Sequence, residues 1–309
     1  MRIVSLLPSA TELAFALGLG DDVVGVSHEC DYPPEARTRA TVVHCAIPLE
    51  DLAPADIDRA VSTQLRVGGS IYTIDTELLR ALEPDLILAQ DLCEVCAPSG
   101  NETERAVAAL DRAPRVLTLA PRTLREIQEN IRQLGEATGR LDVAQTLIES
   151  QSDRLATLAR ELAGAPRRRV FFLEWTDPMF CGGHWVAEMI ERAGGHDALA
   201  RRGGDSVRVS WDQVGAWAPE VLIVSPCGAH LESAVIQTRE LLEQSRWSEI
   251  PAVQAGEVYA VDASSYFARP GPRVFDGIEV LAHILHPERV PERHLGAATK
   301  ISTALRPRT

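Results

Sequence analysis

Two cysteines lie three positions apart in the segment "QDLCEVCAPSG", residues 90–100, directly after an apolar run. Thiolates at this spacing can chelate a soft cation such as Zn²⁺, close a disulfide, or act as a redox pair. A redox pair needs a cysteine whose pKa is lowered, and the carboxylate of Glu94 between the two cysteines would raise it. Half of a metal site, a disulfide and a pocket wall remain as alternatives.

A second ligand-like spacing occurs in "CGGH", where His184 follows Cys181 by three residues. The two pairs are about 85 residues apart, which is not a familiar interval for a zinc site. Neutral pocket lining is therefore the favoured interpretation, and a Zn or Fe–S centre is the runner-up. The candidate metal ligands are Cys30, Cys93, Cys96, Cys181, His184 and Cys227.

Apolar runs that alternate with helical patterns predict the elements that position these residues. Strands are expected at 2–7, 23–27, 41–45, 84–90, 115–120, 168–175, 219–225 and 257–262. The first helix is expected to open with a capping box of Ser9 and Glu12 and to close at a glycine. A continuous helical pattern covers 123–164, and "PRVFDGIEVLAHIL" predicts a terminal helix. Almost wholly apolar strands separated by helices indicate parallel sheets, so the fold class is α/β.

The chain therefore divides into an N-terminal α/β lobe at 1–122, a connecting helical segment at 123–165 and a C-terminal α/β lobe at 166–309. Ligands of parallel sheets bind beyond the carboxyl ends of the strands, and we expect these loops of the two lobes to meet in one cleft that the cysteines border. Aromatic side chains there could stack on a flat ligand, and polar ones could meet its edges. The candidate ligand-binding residues are His28, Glu29, Tyr32, Tyr72, Gln90, Asp91, Leu92, Glu174, Trp175, Trp185, Tyr266, Phe267 and Arg269.

Composition excludes several classes of function. A net charge of −13 argues against nucleic acid as a partner, and no segment approaches the apolar length of a membrane span. No G-x-S-x-G, P-loop or H-E-x-x-H motif is present, which favours a protein that is not an enzyme.

The first residues lack the pattern of a signal peptide, so the expected location is the cytoplasm. The periplasm or the cell surface is the alternative if a leader has been removed.

Five segments together resemble the vitamin B12 and iron-siderophore substrate-binding proteins of ABC importers, closest to the cobalamin branch. They are "RIVSLLPSATELAFALGLGDDVVGVSHECDYP", "LEPDLILAQ", the 123–164 helical stretch, "GGHWVAEMIERAGG" and "RWSEIPAVQAGEVYAVDASSYFARPGPRVFDGIEVLAHILHPE". The resemblance implies two Rossmann-like lobes tied by a long rigid helix, and cobalamin or a related corrinoid or metal chelate bound in the cleft without catalysis. Binding of this kind requires no cofactor. It also implies docking to an ABC permease through Glu77 and Asp212. A cytoplasmic Zn or Fe–S protein that uses the cysteines is the alternative.

Overall fold

The computed structural model describes residues 1–49, 52–92, 97–98 and 100–302. By its internal contacts the chain forms two compact units. The first contains Met1–Pro121 and Arg125–Ile148, and the second contains Arg122–Leu124 and Glu149–Thr309. Within the described ranges, no helix has both the length and the apolar character needed to cross a membrane.

The first unit is built on one six-stranded sheet. Its elements are β1 (Ile3–Ser5), α1 (Pro8–Ala16), β2 (Val23–Ser27), β3 (Ala40–Cys45), α2 (Pro54–Arg66), β4 (Tyr72–Ile74), α3 (Thr76–Ala81), β5 (Leu86–Gln90), α4 (Gly100–Ala108) and β6 (Arg115–Leu119), with a short 3-10 helix at Pro34–Thr38. The strand order is β4-β3-β2-β1-β5-β6, and only β4 runs antiparallel to its neighbour. The predicted strands and their parallel pairing are confirmed, while β4 was not predicted.

Strand β5 shows why this sheet must be parallel and covered on both faces. Leu86 and Leu88 pack in the core cluster that contains the apolar side of α1. Ile87 and Ala89, which alternate with them, pack in a separate cluster on the other face. Because successive side chains of a strand point to opposite faces, a strand buried on both sides has to be apolar at every position.

Helix α1 begins two residues earlier than the predicted capping box implies. Leu7 is its N-cap and makes no side-chain capping bond, and Pro8 occupies the first helical position. Ser9 and Glu12 lie inside the helix and are buried, so the predicted capping box is wrong. Proline lacks an N–H and has φ fixed near the helical value, which favours a helix start at Pro8 over one at Ala10 with Ser9 as N-cap. The helix closes at Leu17, before Gly18 with φ +74°, as predicted.

The predicted 123–164 segment is helical but is not one continuous helix. It consists of α5 (Leu124–Thr138) and α6 (Leu141–Glu161), and Gly139 between them has φ +70°. A residue in this left-handed conformation ends an α-helix, and glycine adopts it without steric cost. A side chain at Gly135 would put its Cβ 2.6 Å from the Cβ of Ala144, so the two helices meet closely at this turn. The division between the two units falls within α6, after Ile148.

The second unit contains a sheet of order β12-β11-β10-β7-β8, with the short β9 also paired to β7. Its elements are β7 (Arg168–Trp175), β8 (Phe180–Cys181), α7 (Val186–Arg192), β9 (Gly195–His196), α8 (Trp211–Trp217), β10 (Val221–Val224), α9 (Leu231–Glu243), α10 (Pro251–Gln254), β11 (Val258–Val261), α11 (Ala263–Tyr266), α12 (Val274–Leu285) and β12 (Ala298–Lys300), with a 3-10 helix at Ser245–Glu249. The central strands β7, β10 and β11 are parallel, as predicted. Both β8 and β12 are antiparallel and were missed, so α12 is not terminal.

A buried carboxylate fixes the chain after β9. Asp197 is only 8% exposed, and its two oxygens accept the backbone N–H groups of Phe172 and Leu199, each at 2.9 Å. Burial raises the pKa of Asp197 to about 7, although the backbone hydrogen bonds oppose the shift. The pKa of this group is thus higher in the folded chain than in the unfolded chain.

We expect Asp197→Asn to lower the free energy of unfolding by about 1–3 kcal/mol, because an amide nitrogen cannot accept the N–H bond that it would face. The stability that wild-type Asp197 contributes is fully present below about pH 4 and is lost as the pH rises through about 7. The deficit of the variant should therefore be larger at pH 5 than at pH 8, as measured by urea unfolding. The exposed Asp212→Asn is the control, and a larger deficit at pH 8 would refute the assignment.

Candidate functional site

In the first unit, three predicted residues lie at the carboxyl edge of the sheet. His28 follows β2, Gln90 ends β5, and Tyr72 begins β4. Since β4 is antiparallel, its first residue lies at this edge, where Tyr72 pairs with Cys45. The rings of His28 and Tyr72 are 6.2 Å apart between centroids. Tyr72 is only 9% exposed and packs in the hydrophobic core, and the ligand-binding role of all three residues stays a prediction.

The exposed imidazole of His28 has a defined orientation. Its Nδ1 lies 3.1 Å from the carbonyl oxygen of Val43 in the neighbouring strand β3. When Nδ1–H donates to that carbonyl, Nε2 carries the lone pair and can accept a hydrogen bond or bind a metal of a ligand. The ring is thus able to serve as an acceptor at this edge.

The remaining candidates of the first unit lie on the loops that follow β2 and β5. Tyr32 is 45% exposed and Asp91 is exposed, while Glu29 and Leu92 are half-buried. Asp91 lies beside the start of α4, because a Cβ built on Gly100 would come 3.7 Å from its Oδ1. A carboxylate next to a helix N-terminus is favourable. The ligand-binding role of these four residues stays a prediction.

In the second unit, Glu174 at the end of β7 holds two loops together. Its Oε1 accepts the N–H of Gly183 at 3.1 Å, and its Oε2 accepts the hydroxyl of Ser206. Burial raises the pKa of Glu174, and these two hydrogen bonds act in the opposite direction. A Cβ at Gly183 would lie 2.5 Å from the nitrogen of Ser206, so only glycine permits this close approach. Both carboxylate oxygens are thus engaged inside the unit.

His184 belongs to the same loop and has φ +49°, which is uncommon for a residue with a side chain. Its N–H donates to the carbonyl of Gly204 at 2.6 Å, and its carbonyl accepts the N–H of Gly203 at 2.8 Å. Its Nε2 lies 3.1 Å from Asp205, which also pairs with Arg122 at 2.9 Å. Burial lowers the pKa of His184 more strongly than Asp205 raises it. The "CGGH" segment is therefore one side of a hydrogen-bonded loop pair.

Trp185 and Phe267 are buried within the second unit. Their side chains are 4% and 1% exposed, and the indole N–H of Trp185 donates to the carbonyl of Phe267 at 2.8 Å. The ring of Phe267 also lies 5.5 Å from that of Phe172 in the sheet. Contrary to the predicted stacking role, neither ring offers an open face here. Their observed contacts hold the loop that follows β11 against the sheet.

The other candidates of the second unit are more accessible. Trp175 is half-buried, and its indole N–H donates to the carbonyl of Asp177 at 3.0 Å. Tyr266 is half-buried, with the guanidinium of Arg273 5.8 Å from its ring centroid. Arg269 is half-buried on the same loop. These three side chains remain the candidates of this unit for contact with a ligand.

The described cysteines do not form a metal site. Cys30 lies in the core of the first unit, with its sulfur 3.1 Å from the hydroxyl of Thr11. Cys181 lies in the core of the second unit, and burial raises the pKa of its thiol. Cys227 is exposed. Among the residues that the structure describes, no group of three or more His, Cys, Asp or Glu could hold a metal ion.

Cys93 and Cys96 lie outside the described residues, so the predictions made for them are not tested. For Cys30 and Cys181 the pocket-wall interpretation is wrong, because both are small buried residues of a hydrophobic core. The Zn or Fe–S alternative therefore receives no support from the part of the chain that the structure describes.

Sequence reasoning missed the partners that hold these loops. Ser206 and Asp205 contact residues more than 20 positions earlier in the chain, and Arg122 pairs with Asp205 across 83 positions. His230, after β10, lies 3.2 Å from Asp262, after β11, in the same way. No local motif signals such pairs, and Asp205 and Ser206 lie in the long connection between β9 and α8 rather than just after a strand.

Two α/β units whose parallel strands end in aromatic and polar loops are typical of bacterial substrate-binding proteins. The family model described as "Periplasmic binding protein" matches residues 3–264, and the chain belongs to that family. This confirms the resemblance found in the sequence and the α/β fold class.

Individual relatives are consistent with this assignment. The chain is 29% identical over 280 residues to a vitamin B12-binding protein of Vibrio cholerae. The aligned region covers 90% of this chain and 86% of the relative. It is 27% identical over 299 residues to an uncharacterized ABC transporter substrate-binding lipoprotein of Bacillus subtilis, and this alignment covers 94% of this chain and 82% of the relative. The crystal structure of the periplasmic vitamin B12-binding protein of Vibrio cholerae matches with a TM-score of 0.69 and 28% identity, over 93% and 96% of the two chains. A periplasmic heme-binding protein from Pseudomonas aeruginosa matches in fold with a TM-score of 0.71 at 20% identity, over 97% and 99%.

Proposed function

We propose that this protein binds cobalamin or a related corrinoid as the substrate-binding component of an ABC importer, without catalysing a reaction. The observation that carries the proposal is the similarity to vitamin B12-binding proteins, which extends over 90% of this chain. The names of the relatives place them in the periplasm or describe a lipoprotein. They support a location outside the cytoplasm for this protein, rather than the cytoplasmic location expected from its first residues.

The geometry of the carboxyl edges suits a large flat ligand. In the first unit, His28 and Tyr32 supply exposed aromatic surface at one edge of the sheet, and the buried Tyr72 lies beneath them in the core. In the second unit, Trp175 and Tyr266 do the same. Such side chains can cover a corrin or porphyrin face, and a few polar groups then fix its orientation. Heme and iron chelates share this flat or compact shape, so they are the ligands against which cobalamin has to be tested.

We expect cobalamin to quench the tryptophan fluorescence of the protein saturably, with a Kd tighter than about 1 μM. Trp175 is the half-buried tryptophan at a carboxyl edge, so Trp175→Phe should remove much of the quenching. Isothermal calorimetry provides the Kd of both proteins without relying on fluorescence, and free N-acetyltryptophanamide corrects for light absorbed by the ligand. The absence of both quenching and heat with cobalamin, cobinamide and heme would exclude this function.

The permease contact implied by the resemblance is part of the proposal. Glu77 lies in the first turn of α3 and Asp212 in the first turn of α8, and both side chains are exposed. Glu77 also pairs with Arg80 at 2.8 Å across one helical turn. Such an exposed pair is weak, so Arg80 competes little with an arginine on a partner surface. The exposure of the two carboxylates is compatible with docking.

A further inference from the structure

The N-terminus of α1 presents hydrogen-bond donors at the carboxyl edge of the first unit. This nine-residue helix follows β1 directly, and its N-cap, Leu7, provides no side-chain acceptor. Pro8 has no N–H, and the first N–H that bonds back to Leu7 is that of Thr11, at 3.2 Å. The N–H groups of Ser9 and Ala10 have no acceptor within the helix, because the first turn of any α-helix lacks one. Both residues are buried.

A second donor lies beside this helix start. Gln90 is only 5% exposed, and among the described residues its side-chain Nε2 has no hydrogen-bond partner. A buried amide nitrogen that has no acceptor within the described chain is costly, which indicates that this donor serves an acceptor from outside the chain.

The position of Gln90 directs its side chain toward α1. Leu86 and Leu88 of β5 pack against the apolar side of α1, and alternation along the strand puts Gln90 on the same face. The pairing of Ser5 with Leu88 places Gln90 level with Leu7, the N-cap of α1, on the adjacent strand. The unpartnered amide therefore lies next to the first turn of the helix.

These groups share one chemical property, which is that they all donate hydrogen bonds. The helix dipole adds positive potential at the same point, and no acidic residue occupies the first turn of α1. Glu12, the nearest carboxylate in the helix, lies in the second turn, and Asp91 lies beside the start of α4. A cation would be repelled here, whereas an oxygen that carries negative charge would be held by several donors at once.

We propose that the N-terminus of α1 and the side-chain amide of Gln90 together bind a carboxylate or phosphate group on the periphery of the ligand. This inference rests on the function proposed above, since it specifies which part of that ligand the first unit holds. In cobalamin the group is the phosphodiester of the nucleotide arm. In heme it is a propionate.

The test compares Gln90→Met, which removes the donor and keeps the side-chain volume, with the wild-type protein. Calorimetry with cobalamin and with cobinamide, which lacks the phosphodiester, should show about a 10- to 100-fold loss of affinity for cobalamin only. Heme and heme dimethyl ester form the matching pair for a carboxylate. The control variant is Gln145→Met, at an exposed position of the same unit, and urea unfolding checks that all variants fold.

The outcomes distinguish a failure of the anion subsite from a failure of the proposed function. An equal loss for cobalamin and cobinamide, or no loss for either, overturns the assignment of this subsite while leaving the proposed function intact. If no corrinoid or heme binds the wild-type protein, the proposed function fails. The subsite is then tested by the ¹⁵N side-chain signal of Gln90, identified by its loss in Gln90→Met. A saturable shift of this signal with inorganic phosphate or acetate supports the subsite, and a signal that does not move with either anion overturns it.

Discussion

Replacement of Glu279 by alanine is expected to lower the free energy of unfolding by about 1.5–3 kcal/mol, because Arg154 and His294 lose the buried carboxylate that accepts their hydrogen bonds, while Arg154 keeps its pair with Asp276 at 2.6 Å. Glu279, on α12, is 7% exposed. Its oxygens accept two hydrogen bonds from Arg154 of α6, at 3.1 and 2.8 Å, and one from His294 at 2.8 Å. These bonds fasten the second half of α6 to the body of the second unit.

The carboxylate of Glu279 also makes the free energy of unfolding depend on pH. Burial alone would raise the pKa of Glu279, but the hydrogen bonds from Arg154 and His294 outweigh it and the pKa lies below its usual range. A pKa that is lower in the folded state gives stability that is present above about pH 4.3 and is lost as the pH falls through the folded value. Glu279→Gln should therefore lose part of this acid sensitivity.

Urea unfolding at pH 7 and pH 4 measures both effects. Glu77→Ala is the matched control, because its pair with Arg80 is as short, at 2.8 Å, but lies on the surface. An exposed pair contributes at most about 1 kcal/mol. If both alanine variants lost the same small amount of stability, the buried network on α12 would not have the role assigned to it.

Trp185→Ala should also cost about 3–5 kcal/mol, the usual range for removing a large buried aromatic side chain. Trp185→Phe retains most of the packing and loses only the bond to the carbonyl of Phe267, so a loss of about 1 kcal/mol is expected. Since that bond holds the loop carrying Tyr266 and Arg269, the phenylalanine variant should also bind cobalamin more weakly.

Trp175→Ala is the contrasting variant for this prediction. Its side chain is half-buried at a carboxyl edge, so we expect a small loss of stability and a large loss of cobalamin affinity. Unfolding in urea and calorimetry with cobalamin measure the two quantities separately. A Trp185→Ala protein as stable as Trp175→Ala would show that Trp185 does not support the loop.

The central elements of both sheets could be predicted because their physical signal is local. Strand β5 is apolar at nearly every position, and α12 is buried along almost its whole length, so composition alone identifies them. Strands β4, β8, β9 and β12 contain two or three residues each, and their existence depends on the neighbours with which they pair. Such short strands carry too few residues to show a period.

The residues of the candidate site could also be predicted only in part. The positions of His28 and Gln90 at the carboxyl edge could be predicted because a residue at the end of a parallel strand must lie there, while their ligand-binding role stays a prediction. Ser206 and Asp205 could not be predicted, since their partners are distant in the chain. The cysteines Cys30 and Cys181 suggested chemistry by their placement after strands, but burial in the two cores explains them. Position after a strand identifies a region, and only packing shows which side chains face outward.

The reversed direction of β4 affects where this protein could acquire a different ligand preference. In a parallel strand the segment that follows it faces the ligand edge, but β4 presents its first residue, Tyr72, at that edge. The segment next to β4 that lies at the ligand edge is therefore the one before it, residues 67–71, and not Asp75 after it. A library that lengthens or randomises 67–70 and keeps the buried Ile71 should change ligand selectivity, whereas insertions after Ile74 would fall at the opposite end of the sheet and leave selectivity as it is.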